Sequence, residues 1–311
     1  ADEAAIQSLA ASLNLRPAYY PAEVLEAQTH RLANPSDIVF AEVGCHGVAE
    51  ASALAAAGPD ATLLIEKHKS ASATCAVAEI TGAALPATRR GRLSVVGIGP
   101  GWSEWRSPEA SRLINEAEEL VGYGLYIDLL GPLGANKPRA DFPLGGEEAR
   151  CRYALEEAAK GRDIALTCSG DAGIYAMGAL VMELMARDEE AGGVSARAKQ
   201  VEIINAPGVS ALQAASARAG AILGHDFCTI SLSDLLTPRE DIIKRLHAAG
   251  EGDFVIAFYN PVSKRRRTLL DEAREILLKH RPADTPVLLA ASLGRPDETL
   301  TLRTLDTLQT D

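Results

Sequence analysis

No stretch of the 311-residue chain is apolar without interruption for the roughly 20 residues that a membrane-spanning helix needs. The amino-terminal residues also lack a basic segment followed by an apolar one, which is the pattern of a secretory signal. The sequence therefore predicts neither membrane insertion nor export. We expect a cytoplasmic protein that has no membrane partner.

Positive charge is scarce relative to negative charge. The chain has 31 Lys and Arg residues against 42 Asp and Glu residues, and its formal net charge is −11. A protein whose main task is to coat nucleic acid needs a basic surface for the phosphates. We therefore expect no nucleic-acid partner, although a local basic site remains compatible with this balance.

The cysteines lack the spacing of metal ligands. Cys45, Cys75, Cys151, Cys168 and Cys228 are widely separated, and they form neither a CxxC motif nor a Cys/His pair. Zinc and iron–sulfur sites use such motifs. We expect reduced thiols that pack in the core, and no bound metal.

Strand patterns alternate with helical ones along the chain, which predicts an α/β fold. Residues 1–85 are expected to form a small α/β domain, and residues 86–91 are expected to form a linker, because proline, glycine and charge replace the apolar periodicity there. Residues 92–224 repeat the strand, loop and helix pattern as a second α/β unit. Residues 225–311 form a third and smaller unit.

The first domain is predicted to begin with a helix and to pair its strands in parallel. Its strands are expected at 37–45 and 61–67, and its helices at 47–58 and 72–80. In the rest of the chain the predicted helices are 107–120, 145–160, 175–187, 208–220 and 264–280. The predicted strands are 92–98, 119–126, 163–168, 201–205, 227–232, 253–259, 286–292 and a last one within 298–305.

The loop VGIGPG (96–101) closes the first strand of the second unit. A dinucleotide-binding fold needs a glycine-rich turn that opens a helix directly. Here the helix is expected to begin only at Ser107 and Pro108, which are typical of an N-cap and a first turn. One class of methyltransferases has an acidic residue before such a loop, but Val95 and Val96 stand there. The loop therefore indicates neither of these two folds.

Two more loops of small residues follow later strands: SGDAGIYAMG (169–178) and NAPGVSALQAASARAG (205–220). Open α/β sheets bind ligands at the carboxyl ends of their strands. Gly170 and Gly173 allow the backbone to approach a flat or bulky ligand closely. Asp171 either accepts a hydrogen bond from a ribose hydroxyl or an amine, or caps the helix that follows. The residues alone leave both alternatives open.

In this order and spacing the three loops resemble those of the tetrapyrrole (corrin/porphyrin) methyltransferases, and the resemblance covers residues 92–311. Three further segments are similar to the precorrin-3B C(17)-methyltransferase group of that family: LGHDFCTISLSDLLTPRE (223–240), FYNPVSKRRRTLL (258–270) and ASLGRPDE (291–298). The resemblance implies two α/β domains with a cleft for S-adenosylmethionine between them. It also implies methylation of C-17 of precorrin-3B, coupled to contraction of the macrocycle that gives precorrin-4.

The resemblance also implies which residues contact the cofactor. Carried over motif by motif, the contacts fall on nine positions: Pro100, Ser169, Gly170, Asp171, Ile174, Ser210, Ala211, Tyr259 and Asn260.

The family motifs leave any acid or base unassigned. We take His225 and Asp226 as catalytic candidates, because pKa tuning is plausible for an adjacent ionisable pair at a domain junction. A hinge followed by a cap is the alternative interpretation of this pair.

The substrate carries many carboxylates, so local positive charge is expected around it. Arg265, in the basic segment 263–267 at the start of a predicted helix, and Arg295 are candidates for binding these groups. Tyr123 and Tyr126 would line the trough for the macrocycle, or would simply pack against the strand.

The first domain has a resemblance of its own, to the carboxyl-terminal domain of the cobalamin-biosynthesis CobE/CbiG proteins. It is carried by VGCHGVAEASALAAAG (43–58) and LLIEKHKSASATCAVAEI (63–80). His46 and Lys67 are expected on one cationic rim that would bind a corrinoid intermediate or hand it over. A lactone-opening role at a later step and a merely solvated rim are the alternatives.

Two rival functions remain open at this stage. One is a sister methylase that acts on another carbon, another substrate or a cobalt-bearing precorrin. The other is a noncatalytic corrinoid carrier that retains the cofactor cleft. The family resemblance also leads us to expect a homodimer.

Overall fold

The structure is a computed structural model that describes residues 4–13, 15, 17–80, 88–235, 237–262 and 268–309. The chain divides into two compact units. Unit 1 comprises Ala1–Arg92, Glu156–Arg162 and Ser195–Glu202, and unit 2 comprises Leu93–Leu155, Asp163–Val194 and Ile203–Asp311. The boundary predicted between residues 224 and 225 falls inside unit 2, and the predicted domain limits stay predictions.

Unit 1 combines short helices with two antiparallel strand pairs. Its elements are α1 (Ala4–Ser12), β1 (Ala18–Tyr19), α2 (Ala22–Glu26), α3 (Asp37–Val43), α4 (Val48–Ala57), β2 (Leu63–Lys69), β3 (Thr74–Ala78) and β4 (Thr88–Arg89). β1 pairs with β4, and β2 pairs with β3. Leu54 of α4 is buried, and it packs with Leu63 of β2 and Ala78 of β3. One face of the β2–β3 hairpin therefore lies against α4.

Three predictions for unit 1 are wrong. The predicted strand at 37–45 is helix α3, because the Ser36 side chain accepts a hydrogen bond from the Val39 amide at 3.5 Å and Gly44, at φ 76°, ends the helix. The predicted helix at 72–80 is strand β3, because Ser70 closes a turn by donating its amide to the Ala73 carbonyl at 2.9 Å. Since β2 and β3 form a hairpin, their pairing is antiparallel and not parallel.

Unit 2 contains most of a five-stranded sheet and of the helices that flank it, whereas residues 92, 156–159 and 202 of these elements belong to unit 1. The elements are β5 (Arg92–Gly97), α5 (Pro108–Glu116), β6 (Glu119–Tyr123), α6 (Gly124–Asp128), β7 (Arg139–Phe142), α7 (Glu147–Ala159), β8 (Asp163–Cys168), α8 (Met177–Ala186), β9 (Glu202–Ala206) and α9 (Ala211–Ala219). The strand order is β7-β6-β8-β5-β9. β6 is parallel to both β7 and β8. The α/β fold with a parallel sheet is therefore confirmed.

The centre of this sheet is the core of unit 2. β5 and β8 are buried at every position after the first, as expected of central strands covered on both faces. Leu113 and Ile114 of α5 pack against Val96 and Leu120, and all four side chains are buried. Full burial of such a side chain contributes about 1.5–3 kcal/mol. This rigid layer fixes the strand ends from which the loops emerge.

The remaining elements of unit 2 follow residue 226. They are β10 (Phe227–Ser231), α10 (Arg239–Glu251), β11 (Val255–Tyr259), α11 (Thr268–Leu277), β12 (Pro286–Ala291) and β13 (Thr299–Thr304). β10 and β11 are parallel, whereas β12 and β13 are antiparallel. The four strands were predicted, but α10 was missed although Pro238, Glu240 and Asp241 form a typical helix start.

Other boundaries in unit 2 also differ from the prediction. The helix that begins at Ser107 and Pro108 has the expected cap, with the Ser107 hydroxyl accepting from the Ala110 amide at 3.0 Å, but it ends at Glu116. The strand predicted at 119–126 stops at Tyr123, where α6 begins. β7 was not predicted.

Among the described residues no single helix is long and apolar enough to cross a membrane. Only the pair α3 and α4, taken as one segment with an 80° bend, has sufficient length and apolarity.

Candidate functional site

Three loops meet at the carboxyl ends of β8, β5 and β9, which are neighbours in the sheet. The amides and carbonyls of Gly99 and Gly170 form two reciprocal hydrogen bonds, of 3.1 and 2.9 Å. A Cβ atom on Gly97 would lie 2.7 Å from the Gly170 oxygen, and a Cβ atom on Gly208 would lie 2.1 Å from the same oxygen. The loops thus touch backbone to backbone, which explains why glycine occupies these positions.

Asp171 ties two of these loops together. Its Oδ1 accepts from the Gly173 amide at 2.7 Å, and its Oδ2 accepts from the Gly208 amide at 3.0 Å. The following helix, α8, begins at Met177 and has Ala176 as its N-cap residue. The interpretation of Asp171 as a helix cap is therefore wrong. The carboxylate is instead a fixed part of the wall formed by the loops.

One cavity of about 270 Å³ lies beside the three loops. This volume is near the lower end of small-molecule sites, which start at roughly 300 Å³. All nine residues that the family resemblance assigns to the cofactor line this cavity: Pro100, Ser169, Gly170, Asp171, Ile174, Ser210, Ala211, Tyr259 and Asn260. The structure brings them together from four separate segments of the sequence.

Tyr259, the last residue of β11, contacts the start of α9 at this cavity. Its hydroxyl accepts from the Leu212 amide at 3.3 Å and makes a short hydrogen bond with the Ser210 hydroxyl. Its ring lies 5.0 Å from the ring of Tyr175, whose hydroxyl donates to the Thr229 carbonyl at 3.0 Å. The end of β11 is therefore fixed to the start of α9.

Backbone strain is concentrated around the cavity. Tyr175, Asn260 and Ser292 line it, and their φ angles are 51°, 51° and 53°. Left-handed conformations cost non-glycine residues about 1–2 kcal/mol and cluster at ligand sites. Side-chain hydrogen bonds stabilise two of them, from Asn260 Nδ2 to Ser231 Oγ at 3.2 Å and from Ser292 Oγ to Asp297 Oδ2 at 2.7 Å.

Sequence reasoning missed several lining residues. Tyr175, Ala290, Ser292 and Leu293 also line the cavity. Tyr175 directly follows a predicted cofactor residue, and the other three lie at the end of β12 or just after it. The end of β12 reaches the cavity because of how the strands of unit 2 are arranged. The sequence pattern predicts the strand but not this arrangement.

The predicted catalytic pair lies away from the cavity. His225 and Asp226 are exposed and precede β10, and the Asp226 carbonyl accepts from the Val255 amide at the start of β11. The cavity lies beyond the other end of β11, at Tyr259 and Asn260. The five residues of β11 span about 15 Å at roughly 3.3 Å per residue. His225 and Asp226 therefore lie at the end of β10 and β11 that is opposite the cavity, so they do not contact a ligand bound there.

The predicted substrate residues of unit 2 divide into three cases. Tyr126 and Arg295 line the cavity. Tyr123 contacts Tyr126 edge to face, with ring centres 5.2 Å apart, but it is not a lining residue. Arg265 and the segment 263–267 lie outside the residues that the structure describes.

His46 and Lys67 are engaged within unit 1. His46 Nδ1 lies 2.9 Å from Glu26 Oε1, and this hydrogen bond is the main reason why the pKa of Glu26 is lowered. Lys67 Nζ donates to the Asn34 carbonyl at 2.9 Å, and its amide donates to the buried Glu50 at 2.8 Å. A corrinoid would have to compete with these contacts, and the binding role of both residues stays a prediction.

Metal ligands are not grouped in the described residues. Within residues 4–13, 15, 17–80, 88–235, 237–262 and 268–309, no three His, Cys, Asp or Glu side chains form a cluster that could hold a metal ion.

The larger part of the chain matches a known family of enzymes. Residues 92–309 match the family model of the Tetrapyrrole (Corrin/Porphyrin) Methylases, and the chain belongs to this family. Residues 1–78 match the family model Cobalamin synthesis G C-terminus. The predicted families are therefore confirmed for both parts of the chain.

Two named relatives and one solved structure are similar to this chain. The chain is 42% identical over 215 residues to a precorrin-3B C(17)-methyltransferase of Sinorhizobium sp, an alignment that covers 69% of this chain and 82% of that protein. It is 41% identical over 216 residues to a cobalt-factor III methyltransferase of Priestia megaterium, with 70% of this chain and only 39% of that longer protein covered. Among solved structures, the methyltransferase CobJ has 37% identity and a TM-score of 0.64, with 71% of this chain and 89% of that chain covered.

Proposed function

We propose that this chain transfers a methyl group from S-adenosylmethionine to C-17 of precorrin-3B or of its cobalt-bearing counterpart, with contraction of the macrocycle. The observation that carries the proposal is the single cavity lined by all nine residues assigned to the cofactor. The relatives named for these two substrates are 42% and 41% identical to the chain, which supports both substrates equally.

The residues of the cavity fit S-adenosylmethionine. Gly170, at φ 68°, presents backbone instead of a side chain to the cavity, and Ala211 is small enough to leave room beside it. Asp171 uses one lone pair of each oxygen for backbone amides, so each oxygen can still accept from a ribose hydroxyl. Ile174 adds an apolar surface against which an adenine ring can pack. When bound, this cofactor supplies a methyl group activated by a sulfonium centre.

The chain's own contribution to this reaction is positioning. A displacement at carbon requires the two reacting atoms to be aligned, and pre-organised alignment lowers the barrier by about 7–11 kcal/mol at most. Asp171, Tyr259 and the glycine contacts hold the cavity walls through hydrogen bonds and close packing, so the walls need little rearrangement on binding. The methyl transfer itself needs no strong base.

The first unit is proposed to assist with a corrinoid intermediate. The match of residues 1–78 to a cobalamin-synthesis family supports a role in the same pathway. A cytoplasmic location and a homodimer complete the proposal, and both come from the sequence analysis alone.

Mass spectrometry tests the proposed function. The protein is incubated with methyl-labelled S-adenosylmethionine and with either precorrin-3B or its cobalt-bearing counterpart. We expect one labelled methyl group in a ring-contracted product from at least one of the two substrates. The Asp171→Ala variant should form this product about 10-fold to 100-fold more slowly, because two loop hydrogen bonds are lost.

The matched control is Asp60→Ala, which removes an exposed carboxylate from a turn in unit 1. It should retain the wild-type rate. If neither substrate gains a label although the wild-type protein binds S-adenosylhomocysteine, the proposed substrate is wrong. If it does not bind S-adenosylhomocysteine either, the proposed cofactor site is wrong as well.

A further inference from the structure

Two polar side chains in the cavity have hydrogen-bonding capacity that the protein does not use. Arg295 donates through Nε to the Pro100 carbonyl at 3.3 Å, and in the described part of the chain its terminal amino groups have no hydrogen bond or ion pair. The Tyr126 hydroxyl likewise has no hydrogen-bond partner among the described residues. Both side chains are half-buried, so a ligand in the cavity can reach their free donors.

The backbone around Arg295 is held in place by a network. The Arg295 amide donates to the Ser292 carbonyl at 3.0 Å, and the Gly294 amide donates to Glu298 Oε2 at 2.7 Å. Glu298 Oε1 in turn accepts from Arg218 Nε at 2.8 Å. These contacts hold the backbone, and the Nε bond to the Pro100 carbonyl restrains the guanidinium, whose two terminal amino groups can donate parallel hydrogen bonds to one partner.

Tyr126 is anchored and protonated. Its ring packs against the buried cluster of unit 2, and burial raises the pKa of its hydroxyl. The phenol therefore stays neutral near pH 7 and can donate a hydrogen bond. Tyr126 and Arg295 both line the cavity, and the charges of Arg295 and Arg150 partly oppose the effect of burial on the pKa of the Tyr126 hydroxyl.

No described residue forms an ion pair with Arg295; Asp297 interacts with its charge, but this carboxylate accepts from Ser292 Oγ and does not line the cavity. Among the described residues that line the cavity, Asp171 is the single carboxylate, and its two oxygens accept from Gly173 and Gly208. The terminal amino groups of Arg295 and the phenol of Tyr126 are donors in one cavity, and a carboxylate has two oxygens that can accept from both.

We propose that Arg295 and Tyr126 form a carboxylate-binding subsite of the cavity. The inference rests on the proposed function, because that function provides two sources of a carboxylate. One source is the amino-acid end of S-adenosylmethionine, and the other is an acetate or propionate group of the tetrapyrrole. Binding at this subsite would orient the ligand relative to the loops that hold Asp171 and Gly208.

Calorimetric titration of the full chain with two ligands separates the sources. S-adenosylhomocysteine carries the amino-acid carboxylate, whereas 5′-methylthioadenosine has the same nucleoside and a thioether but no carboxylate. If the cofactor is the source, Arg295→Gln weakens binding of S-adenosylhomocysteine about 10-fold to 100-fold and leaves 5′-methylthioadenosine unchanged. Tyr126→Phe should give a smaller loss of the same kind, and Arg295→Lys an intermediate one.

If the tetrapyrrole is the source, both nucleosides bind the variants as they bind the wild type. The KM for the tetrapyrrole then rises about tenfold or more in Arg295→Gln, while the KM for S-adenosylmethionine is unchanged. The control is Arg112→Gln on α5, an exposed arginine paired with Glu109 and Glu116, which should alter none of these constants.

Two results would overturn the subsite. One is wild-type affinities and KM values in both Arg295→Gln and Tyr126→Phe. The other is an equal loss of affinity for the two nucleosides, which would show a general change of cavity shape. A wild-type protein that binds neither nucleoside contradicts the proposed function itself, and the subsite with it, and is distinguishable from a failure of the subsite alone.

Discussion

Asp171 shows how one carboxylate organises the candidate site. It accepts from amides in two different loops, and those loops also touch through Gly97, Gly170 and Gly208. A buried or half-buried carboxylate that accepts two backbone hydrogen bonds is held in one orientation. Its remaining lone pairs then point in fixed directions, which is what selective recognition of a ligand hydroxyl requires.

The reactivity of the cysteine thiols tests which cysteines are buried in the folded protein. Burial raises the pKa of Cys151 to about 12 and that of Cys168 to about 11, so both remain neutral thiols at pH 8. Only thiolates react with a disulfide reagent. In the native protein at pH 8 we expect the exposed Cys75 to react first and Cys151 and Cys168 to react only on unfolding.

A Cys75→Ser variant provides the control, since it should lose the fast phase of the thiol titration and keep the phase that appears on unfolding. Rapid labelling of Cys151 or Cys168 in the folded protein, located by peptide mapping, would contradict the burial of α7 and β8.

The grouping of residues in one cavity could be predicted where a motif carried it, whereas the roles of these residues stay predictions. The nine cofactor positions follow from the family resemblance, and they converge on one cavity. His225 and Asp226 were chosen from their adjacency, but they lie before β10 and not after it. A sequence pattern shows that a strand exists, whereas the end of the strand that faces a ligand depends on how the neighbouring elements pack.

At the scale of elements, the glycine loops carry the strongest steric constraint. Gly208→Ala would place a methyl group 2.1 Å from the Gly170 oxygen and 2.8 Å from the carbonyl carbon of Gly97. Because these atoms belong to the backbone of central strands and their loops, they cannot move away cheaply. We expect a loss of about 3 kcal/mol in the free energy of unfolding, measured by denaturant titration.

Gly131→Ala is the matched comparison for that experiment. Gly131 also has a constrained backbone, with φ 57°, but no atom lies within 4 Å of the position of its Cβ. We expect a loss of only about 1 kcal/mol from backbone strain, and unchanged binding of S-adenosylhomocysteine. Equal losses for the two variants would show that contact between the loops is not what requires glycine at Gly208.

The elements that were mispredicted share a physical cause. In residues 37–43 an apolar run resembles a buried strand, but the cap at Ser36 and the left-handed Gly44 define a helix. In residues 74–78 small residues suit either structure, and the Ser70 turn decides for a hairpin. In both cases a hydrogen bond outside the apolar run determines the structure, so periodicity alone was insufficient.

At the scale of the whole molecule, residues 92–309 match the family model of the Tetrapyrrole (Corrin/Porphyrin) Methylases, and residues 1–78 match the model Cobalamin synthesis G C-terminus. The α/β class and the parallel sheet of unit 2 could be predicted because the strands of its centre are continuous apolar runs. The antiparallel hairpin of unit 1 could not be predicted, because exposed residues predominate in its two strands and no continuous buried run marks them.

Hydrogen exchange gives a test at this scale. When S-adenosylhomocysteine binds, we expect slower exchange in peptides that cover residues 97–101, 169–175 and 207–211, since binding stabilises the state that holds the ligand. Peptides of the β2–β3 hairpin (63–78) should be unchanged. Protection confined to the hairpin would place the nucleoside site in unit 1 and contradict the proposed cavity.

The central claim is that the cavity of unit 2 directs a methyl group to C-17 of the macrocycle. The most direct measurement is carbon NMR of the product formed in a single turnover with S-adenosylmethionine carrying a carbon-13 methyl group. The account predicts one equivalent of label at C-17 of a ring-contracted tetrapyrrole. Label at another carbon would indicate a sister methylase, and a bound cofactor with no transfer to either substrate would indicate a carrier; each of these results would contradict the account.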